Sequence, residues 1–101
     1  NPATGIQNIS SETPSSFSLH QNYPNPFNPV TNIKFSIPKS SNVRIAVYNI
    51  SGKEVDVLVN DNVNAGTYQV SWNAERHSSG TYFCRMSANG FTETKRMTLL
   101  K

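Results

Sequence analysis

The sequence predicts an all-β fold, an antiparallel sandwich of about seven short strands. Apolar and polar residues alternate over several short runs, which is the pattern of half-buried strands. Turn-forming residues separate these runs roughly every ten positions, as in sandwiches, and no stretch shows a helical period. The 101 residues suffice for one domain of this kind.

Seven runs are predicted to be strands. They are residues 17–22, 31–37, 43–50, 54–59, 67–72, 81–87 and 91–100. In the third run the apolar phase changes at Tyr48, which predicts a β-bulge or the end of pairing at that point. The last run is polar through its middle and apolar at Met97 and Leu99, which is typical of an edge strand.

The connections between the runs carry turn residues. The predicted connection 60–66 follows a strand in which Val55, Val57 and Val59 are predicted to share one face. The Asn-Gly pair at 89–90 predicts a tight hairpin, because both residues accept a positive φ.

A Gly-Thr-Tyr tripeptide occurs twice, at 66–68 and 80–82, each time where a loop enters a strand. Glycine permits the backbone conformation of the corner, and the tyrosine hydroxyl can bond a nearby backbone group. Immunoglobulin-like sandwiches use a related tyrosine corner. The predicted fold class is therefore an immunoglobulin-like antiparallel β-sandwich.

Residues 1–16 are predicted to be a flexible linker, and residues 17–101 the folded domain. The linker is polar and without period, so it offers no apolar surface to bury. No transmembrane segment and no signal peptide are recognisable. If the protein is exported, we expect this chain to be a fragment of a longer precursor or a processed product.

The sequence offers little sign of catalysis or of nucleic-acid binding. The net charge of +3 is spread along the chain, whereas a nucleic-acid surface needs clustered cations. No catalytic motif is present, and a Ser-His-Asp triad drawn with Asp56 or Asp61 has nothing that brings its members together. The lone Cys84 is predicted to be a buried, inert thiol. No enzyme activity and no cofactor are expected.

An oxygen-rich stretch invites comparison with a calcium loop. It consists of Asn60, Asp61, Asn62 and Asn64. Its glycine falls one position late, at Gly66, and Ser71 stands where a calcium loop has its bidentate Glu. A long turn between strands is the favoured interpretation, and no metal is expected.

A proline-rich segment, residues 22–29 (NYPNPFNP), stands out from the rest. Its three prolines fix φ and remove backbone donors, so the segment cannot lie in a central strand. Two interpretations remain open. It is either a rigid loop that staples the edge of the sandwich or an exposed recognition element that loses little entropy on binding.

This segment also carries a family resemblance. FSLHQNYPNPFNP at 17–29, followed by TNIKFSIP at 31–38, resembles the start of the type A C-terminal sorting domain of the type IX (Por) secretion system. The likeness continues through VYNISGKEV at 47–55, the two Gly-Thr-Tyr tripeptides, WN at 72–73 and TKRMTLLK at 94–101. It covers about residues 17–101 and keeps order and spacing.

The resemblance implies a non-catalytic address label carried by a secreted cargo protein. Such domains occur in Bacteroidetes and their relatives, whose precursors reach the periplasm by a signal peptide. The outer-membrane translocon then recognises the domain. A sortase usually cleaves just before it and can attach the cargo to lipopolysaccharide. The expected partners are therefore the translocon, the sortase and an upstream cargo domain. Cleavage is expected within residues 1–16, and delivery to the cell surface or the medium.

Recognition is expected, by the same resemblance, at the proline-rich turn, at three glycine turns and along the final strand. The suspected residues are Tyr23, Pro24, Asn25, Pro26, Gly52, Gly66, Gly80, Tyr82, Lys95 and Lys101. An edge strand is open to pairing with a partner, and it could also pair with a second copy to form a dimer.

Two alternative functions are weighed against sorting. The pattern also resembles the Ig-like domain of flagellar hook-capping proteins, which would make the chain an assembly module. An accessory carbohydrate-binding domain of a secreted hydrolase would stack sugar rings on an exposed Trp72 or Tyr48. The sequence disfavours the latter, because Trp72 shares a face with Tyr68 and Val70 and is predicted to be core.

Overall fold

The computed structural model describes residues 6–10 and 12–101, and this part of the chain is a two-layer sandwich of strands without helices. The strands are β1 (Gln7–Ser10), β2 (Ser18–Leu19), β3 (Val30–Ile37), β4 (Ser41–Tyr48), β5 (Glu54–Val63), β6 (Gly66–Asn73), β7 (Gly80–Ala88) and β8 (Phe91–Leu99). Sheet I has the order β1-β6-β3-β2 and sheet II the order β5-β4-β7-β8. Neighbouring strands in both sheets are antiparallel. The predicted fold class is confirmed.

The core lies between the two sheets and follows from the alternation in the sequence. In β4, Val43, Ile45 and Val47 point inward and are fully buried. The two sheets are also joined by a hydrogen bond, because the indole Nε1 of Trp72 in β6 donates to Asp56 Oδ2 in β5 at 2.9 Å. An apolar face therefore supplies the packing, and the one polar atom of the indole is satisfied within it.

Strand β5 is longer and more irregular than the sequence predicts. It continues to Val63, so most of the predicted 60–66 connection is strand. The pairing of β5 with β4 shifts register twice, once between Val47 and Tyr48, which confirms the predicted irregularity there. The shifts turn side chains over, so the prediction of a single valine face in β5 is wrong: Val59 is buried and Val57 is exposed.

The predicted linker, residues 1–16, contains strand β1. Residues 1–5 and 11 lie outside the described part of the chain. Gln7 lies opposite Gln69 of β6, and the register shifts between Asn8 and Ser10. The side chains of β1 are mostly exposed, so backbone pairing holds this strand and no apolar alternation announces it. Residues 7–10 are thus an edge strand of sheet I.

Two local predictions hold at the end of the chain. Asn89 and Gly90 have φ values of 48° and 87°, which is the backbone of the predicted tight hairpin between β7 and β8. Strand β8 lies at the edge of sheet II, as its polar middle indicates. Among residues 6–10 and 12–101, no helix has the length and hydropathy needed to cross a bilayer.

Candidate recognition surface

The proline-rich segment closes the gap between the two sheets along the outer edge of β8. The Phe27 N–H donates to the Thr98 carbonyl, and the Leu100 N–H donates to the Phe27 carbonyl, both at 3.0 Å. This makes a short parallel bridge with the end of β8. The side chain of Asn25 adds a third bond, because its Oδ1 accepts from the Thr98 N–H at 2.9 Å.

Two further bonds extend this contact towards the middle of β8. Gln21 Nε2 donates to the Arg96 carbonyl at 2.7 Å, and the Leu19 N–H donates to Glu93 Oε1 at 3.2 Å. The expectation of a final strand open to partner pairing therefore fails for residues 96–100, whose outer edge is already occupied. A partner would meet the proline-rich segment and the end of β8 as one surface.

The two aromatic residues of the segment have opposite roles. Phe27 is only 2% exposed, and its ring centroid lies 5.7 Å from that of Trp72 in the core. Tyr23 is 79% exposed, although its backbone N–H and carbonyl both bond Asn32 at 2.9 Å. Phe27 therefore anchors the loop as a rigid staple would, whereas Tyr23 is exposed on a fixed backbone and leaves the recognition interpretation open.

A small polar network holds the tip of the segment in shape. The Asn22 side-chain amide donates to Thr31 Oγ1 at 2.9 Å, and that hydroxyl donates to the Pro24 carbonyl at 2.8 Å. Asn22 and Thr31 are buried, so this network is shielded from water. The three X-Pro peptide bonds of the segment are cis.

Some of the suspected recognition residues lie at the end of the sandwich where β7 begins and β8 ends. Gly80 opens β7 directly opposite Leu99, beside the proline-rich segment. The Lys101 N–H donates to Ser79 Oγ at 2.9 Å, and its ammonium bonds the Glu75 carbonyl. We define the terminal cluster as Tyr23, Pro24, Asn25, Pro26, Gly80 and Lys101. The suspected Tyr82 follows in β7, but its side chain is buried and its hydroxyl donates to the Ser78 carbonyl at 2.7 Å.

The other suspected residues lie apart from the terminal cluster. Lys95 lies in β8 opposite the buried Cys84 and forms an ion pair with Glu93 at 3.1 Å. Gly52 is in the β4–β5 turn, across sheet II from the proline-rich segment. Gly66 starts β6 opposite Ile37, which places it at the other end of the sandwich. The structure therefore does not assemble all ten residues into one site.

Two groups in the last two strands have perturbed pKa values, Glu93 in β8 and Cys84 in β7. The hydrogen bond from Lys95 lowers the pKa of Glu93, and the bond from the Leu19 backbone lowers it further. Glu93 is thereby held as a carboxylate that ties sheet I to sheet II. On the inner side of β7, burial raises the pKa of the Cys84 thiol to about 12, so this thiol stays protonated in the folded chain.

The chain matches the family model of the secretion system C-terminal sorting domain over residues 21–99. It belongs to this family. The comparison with curated proteins gives no match. The matched range begins at the edge of the proline-rich segment and ends with β8, so it spans both halves of the surface described above.

Membership of the sorting-domain family gives the coarse function. The domain is a C-terminal sorting signal for type IX secretion, which works with the type IX machinery on an upstream cargo and leads to the cell surface or the medium. Sequence reasoning missed Asn22, Thr31 and the pairing of Phe27 with β8. The alternation of the Pro and Asn residues signals a stiff turn, but it does not indicate which strand the turn meets.

The geometry of this sorting domain gives no support to the other chemistries considered. Trp72 is buried, so it offers no ring to a sugar, and Tyr48 is half-buried. Asp56 accepts from the indole of Trp72, and the His77 ring packs on that indole at a centroid distance of 5.4 Å. Asn60 lies in β5 and not in a loop. Within the described residues, no group of three or more His, Cys, Asp or Glu side chains could hold a metal ion.

Proposed function

We propose that this domain is read by the outer-membrane translocon through the terminal cluster. One observation carries the proposal: the proline-rich segment is hydrogen-bonded along the end of β8 through Asn25 and Phe27. Two stretches that are some 70 residues apart in the chain thus form one rigid surface, and Tyr23 is exposed two residues before Asn25. A preorganised surface of this kind loses little entropy when it binds.

We further propose that a sortase cleaves the precursor within residues 1–16 and that the cargo is then attached at the cell surface. Within that range, we expect the cleaved bond to lie in residues 12–16. Thr13, Ser15 and Ser16 are exposed and lie outside the strands, whereas residues 7–10 are paired with β6. A protease binds its substrate as an extended chain, which a docked strand cannot offer without detaching. Transit through the periplasm and the absence of any catalytic role of the domain itself complete the proposal.

The test is an export assay. Residues 1–101 are fused behind a signal peptide and a fluorescent reporter in a bacterium with an intact type IX system. We expect reporter at the surface or in the medium, and none there in a strain without the translocon. Mass spectrometry of the reporter's new C-terminus locates the cleaved bond, which we expect within residues 12–16.

Paired variants test the terminal cluster itself. Truncation from Phe91 also removes the buried Met97 and Leu99, so a loss of export in that variant would partly reflect unfolding. The sharper variant is Tyr23→Ala with Lys101→Ala, which removes two exposed side chains. Its control is Ile50→Ala with Lys39→Ala, which removes an exposed apolar residue and an exposed lysine elsewhere. Equal export of the two variants would contradict recognition at the terminal cluster.

A further inference from the structure

The outer face of sheet II carries more positive than negative charge. Directly paired residues of antiparallel strands point to the same side of a sheet. Through these pairings, three cations face outward on neighbouring strands: Arg44 in β4, Arg85 in β7 and Arg96 in β8. Among the residues at the outward paired positions of β4, β5, β7 and β8, which form sheet II, Glu54 is the one that is acidic.

The three arginines lie on one diagonal. Arg85 is paired with Ala46 on one side and with Thr94 on the other. Arg44 is two residues before Ala46 and Arg96 two residues after Thr94, so both are diagonal neighbours of Arg85. Such neighbours have their side chains about 7–8 Å apart. We refer to these three residues as the arginine stripe.

The first position of the arginine stripe is already paired with a carboxylate of the same chain. Glu54 Oε1 lies 2.8 Å from Arg44 Nη2, and this bond raises the pKa of the Arg44 guanidinium. The two ion pairs among the described residues are this one and that of Lys95 with Glu93. Arg85 and Arg96 belong to neither, and both are exposed.

We propose that the arginine stripe binds an extended acidic peptide segment of a partner protein. In an extended strand, alternate side chains are roughly 6.6 Å apart on one face, which long Arg and Glu side chains can bring into line with the diagonal spacing of roughly 7–8 Å. Glutamates at every second position would place one carboxylate on Arg85 and the next on Arg96. An arginine fork can donate two parallel hydrogen bonds to a carboxylate, and Arg44 donates one such bond to Glu54 at 2.8 Å.

The proposal is tested with the purified 101-residue chain and a fluorescein-labelled peptide that has Glu at every second position and Thr between. Three other probes are used: a peptide of the same composition with its Glu residues consecutive, oligo-dT, and vesicles containing phosphatidylglycerol. The test variant is Arg85→Gln with Arg96→Gln. Its control, Lys34→Gln with Lys39→Gln, removes the same charge from outside the arginine stripe. Circular dichroism checks that both are folded.

We expect the arginine variant to weaken binding of the alternating peptide about ten-fold, and the lysine variant less than about two-fold. Equal weakening by both variants, or equal binding of the consecutive-Glu peptide, would overturn the proposal in favour of net charge alone. Binding of oligo-dT or of the vesicles with the same arginine dependence would overturn the choice of a peptide. Undetectable binding of the alternating peptide would overturn the site. None of these results depends on the export assay, so the two proposals fail separately.

Discussion

The two Gly-Thr-Tyr tripeptides form the same corner in two different surroundings. The first corner, residues 66–68, begins β6, and the second, residues 80–82, begins β7. In each, the tyrosine hydroxyl donates to the carbonyl oxygen of the residue four positions earlier, at 2.8 Å in the first and 2.7 Å in the second. The glycine φ angles are 150° and 153°, a region that other residues rarely adopt.

The difference lies in what surrounds each residue of the corner. A Cβ on Gly66 would lie 2.9 Å from the carbonyl oxygen of Ser10, whereas a Cβ on Gly80 would meet nothing within 4 Å. The tyrosines reverse this order, because Tyr68 is half-buried and Tyr82 is buried. A repeated motif thus fixes the same backbone twice, while packing decides whether the glycine or the tyrosine carries more of the stability.

Truncating the tyrosines should give the largest effect. Tyr82→Ala empties a buried position beside Trp72 and should lower the free energy of unfolding by about 3–4 kcal/mol. Tyr68→Ala should cost only about 1–2 kcal/mol, because less of that ring is buried. Urea unfolding followed by circular dichroism measures both. Equal costs for the two variants would contradict the argument that the deeper burial of Tyr82 makes it contribute more to stability.

The glycines should show the opposite order. Gly66→Ala should cost about 2–3 kcal/mol, because backbone strain is added to the contact with Ser10. Gly80→Ala should cost about 1–2 kcal/mol from strain alone. A double-mutant cycle isolates the contact: in a chain shortened by residues 1–10, which lacks β1, the cost of Gly66→Ala should fall to that of Gly80→Ala. An unchanged cost would assign the whole effect to strain.

Removing only the hydroxyl groups should have a smaller effect. Tyr82→Phe leaves the Ser78 carbonyl without this donor in a partly buried place and should cost about 1 kcal/mol. Tyr68→Phe affects an exposed bond to the Asn64 carbonyl, which water can replace, and should cost about 0.5 kcal/mol. Thermal unfolding resolves the pair. A larger loss for Tyr68→Phe would contradict the burial argument.

Lowering the pH should have the smallest effect on the free energy of unfolding. This effect should come from Glu93, which belongs to neither corner. The folded-state pKa of Glu93 is lowered, so its carboxylate stabilises the fold above its ordinary pKa, and this contribution is lost as the pH falls through the lowered value. Glu93→Gln should therefore flatten the acid limb of a plot of stability against pH. The difference between the Tyr68 and Tyr82 variants should stay constant across that limb, since neither corner contains an acid.

Most of the fold could be predicted because most strands pack against the core on one face. The alternation that places Val43, Ile45 and Val47 inward is visible in the sequence. Strand β1 has no such alternation, since it is held by backbone bonds to β6. The end of β5 is polar because its Asn and Asp side chains are exposed on an edge strand. The register shift between Ile45 and Ala46, which turns Val57 outward, arises from pairing with β4 and has no signature in the sequence, whereas the shift at Tyr48 is visible as a change of apolar phase.

The candidate surface was less predictable, because it depends on which segments meet. The prolines announce a stiff segment, but nothing near Asn25 indicates a bond to Thr98. The grouping of Gly80 with Lys101, and the separation of Gly66 from both, follow from strand order. The arginine stripe is equally hidden, because its members are spread over three strands and align only through the register.

The contact of the proline-rich segment with β8 bears on how the chain matures during synthesis. Met97 and Leu99 are fully buried, and the Phe27 carbonyl is bonded by Leu100. A polypeptide that emerges from its N-terminal side therefore cannot close its core or complete the terminal cluster until residues 97–100 are available. The sandwich can therefore be complete only after residues 97–100 have been synthesised. A precursor truncated before this stretch would lack the finished surface.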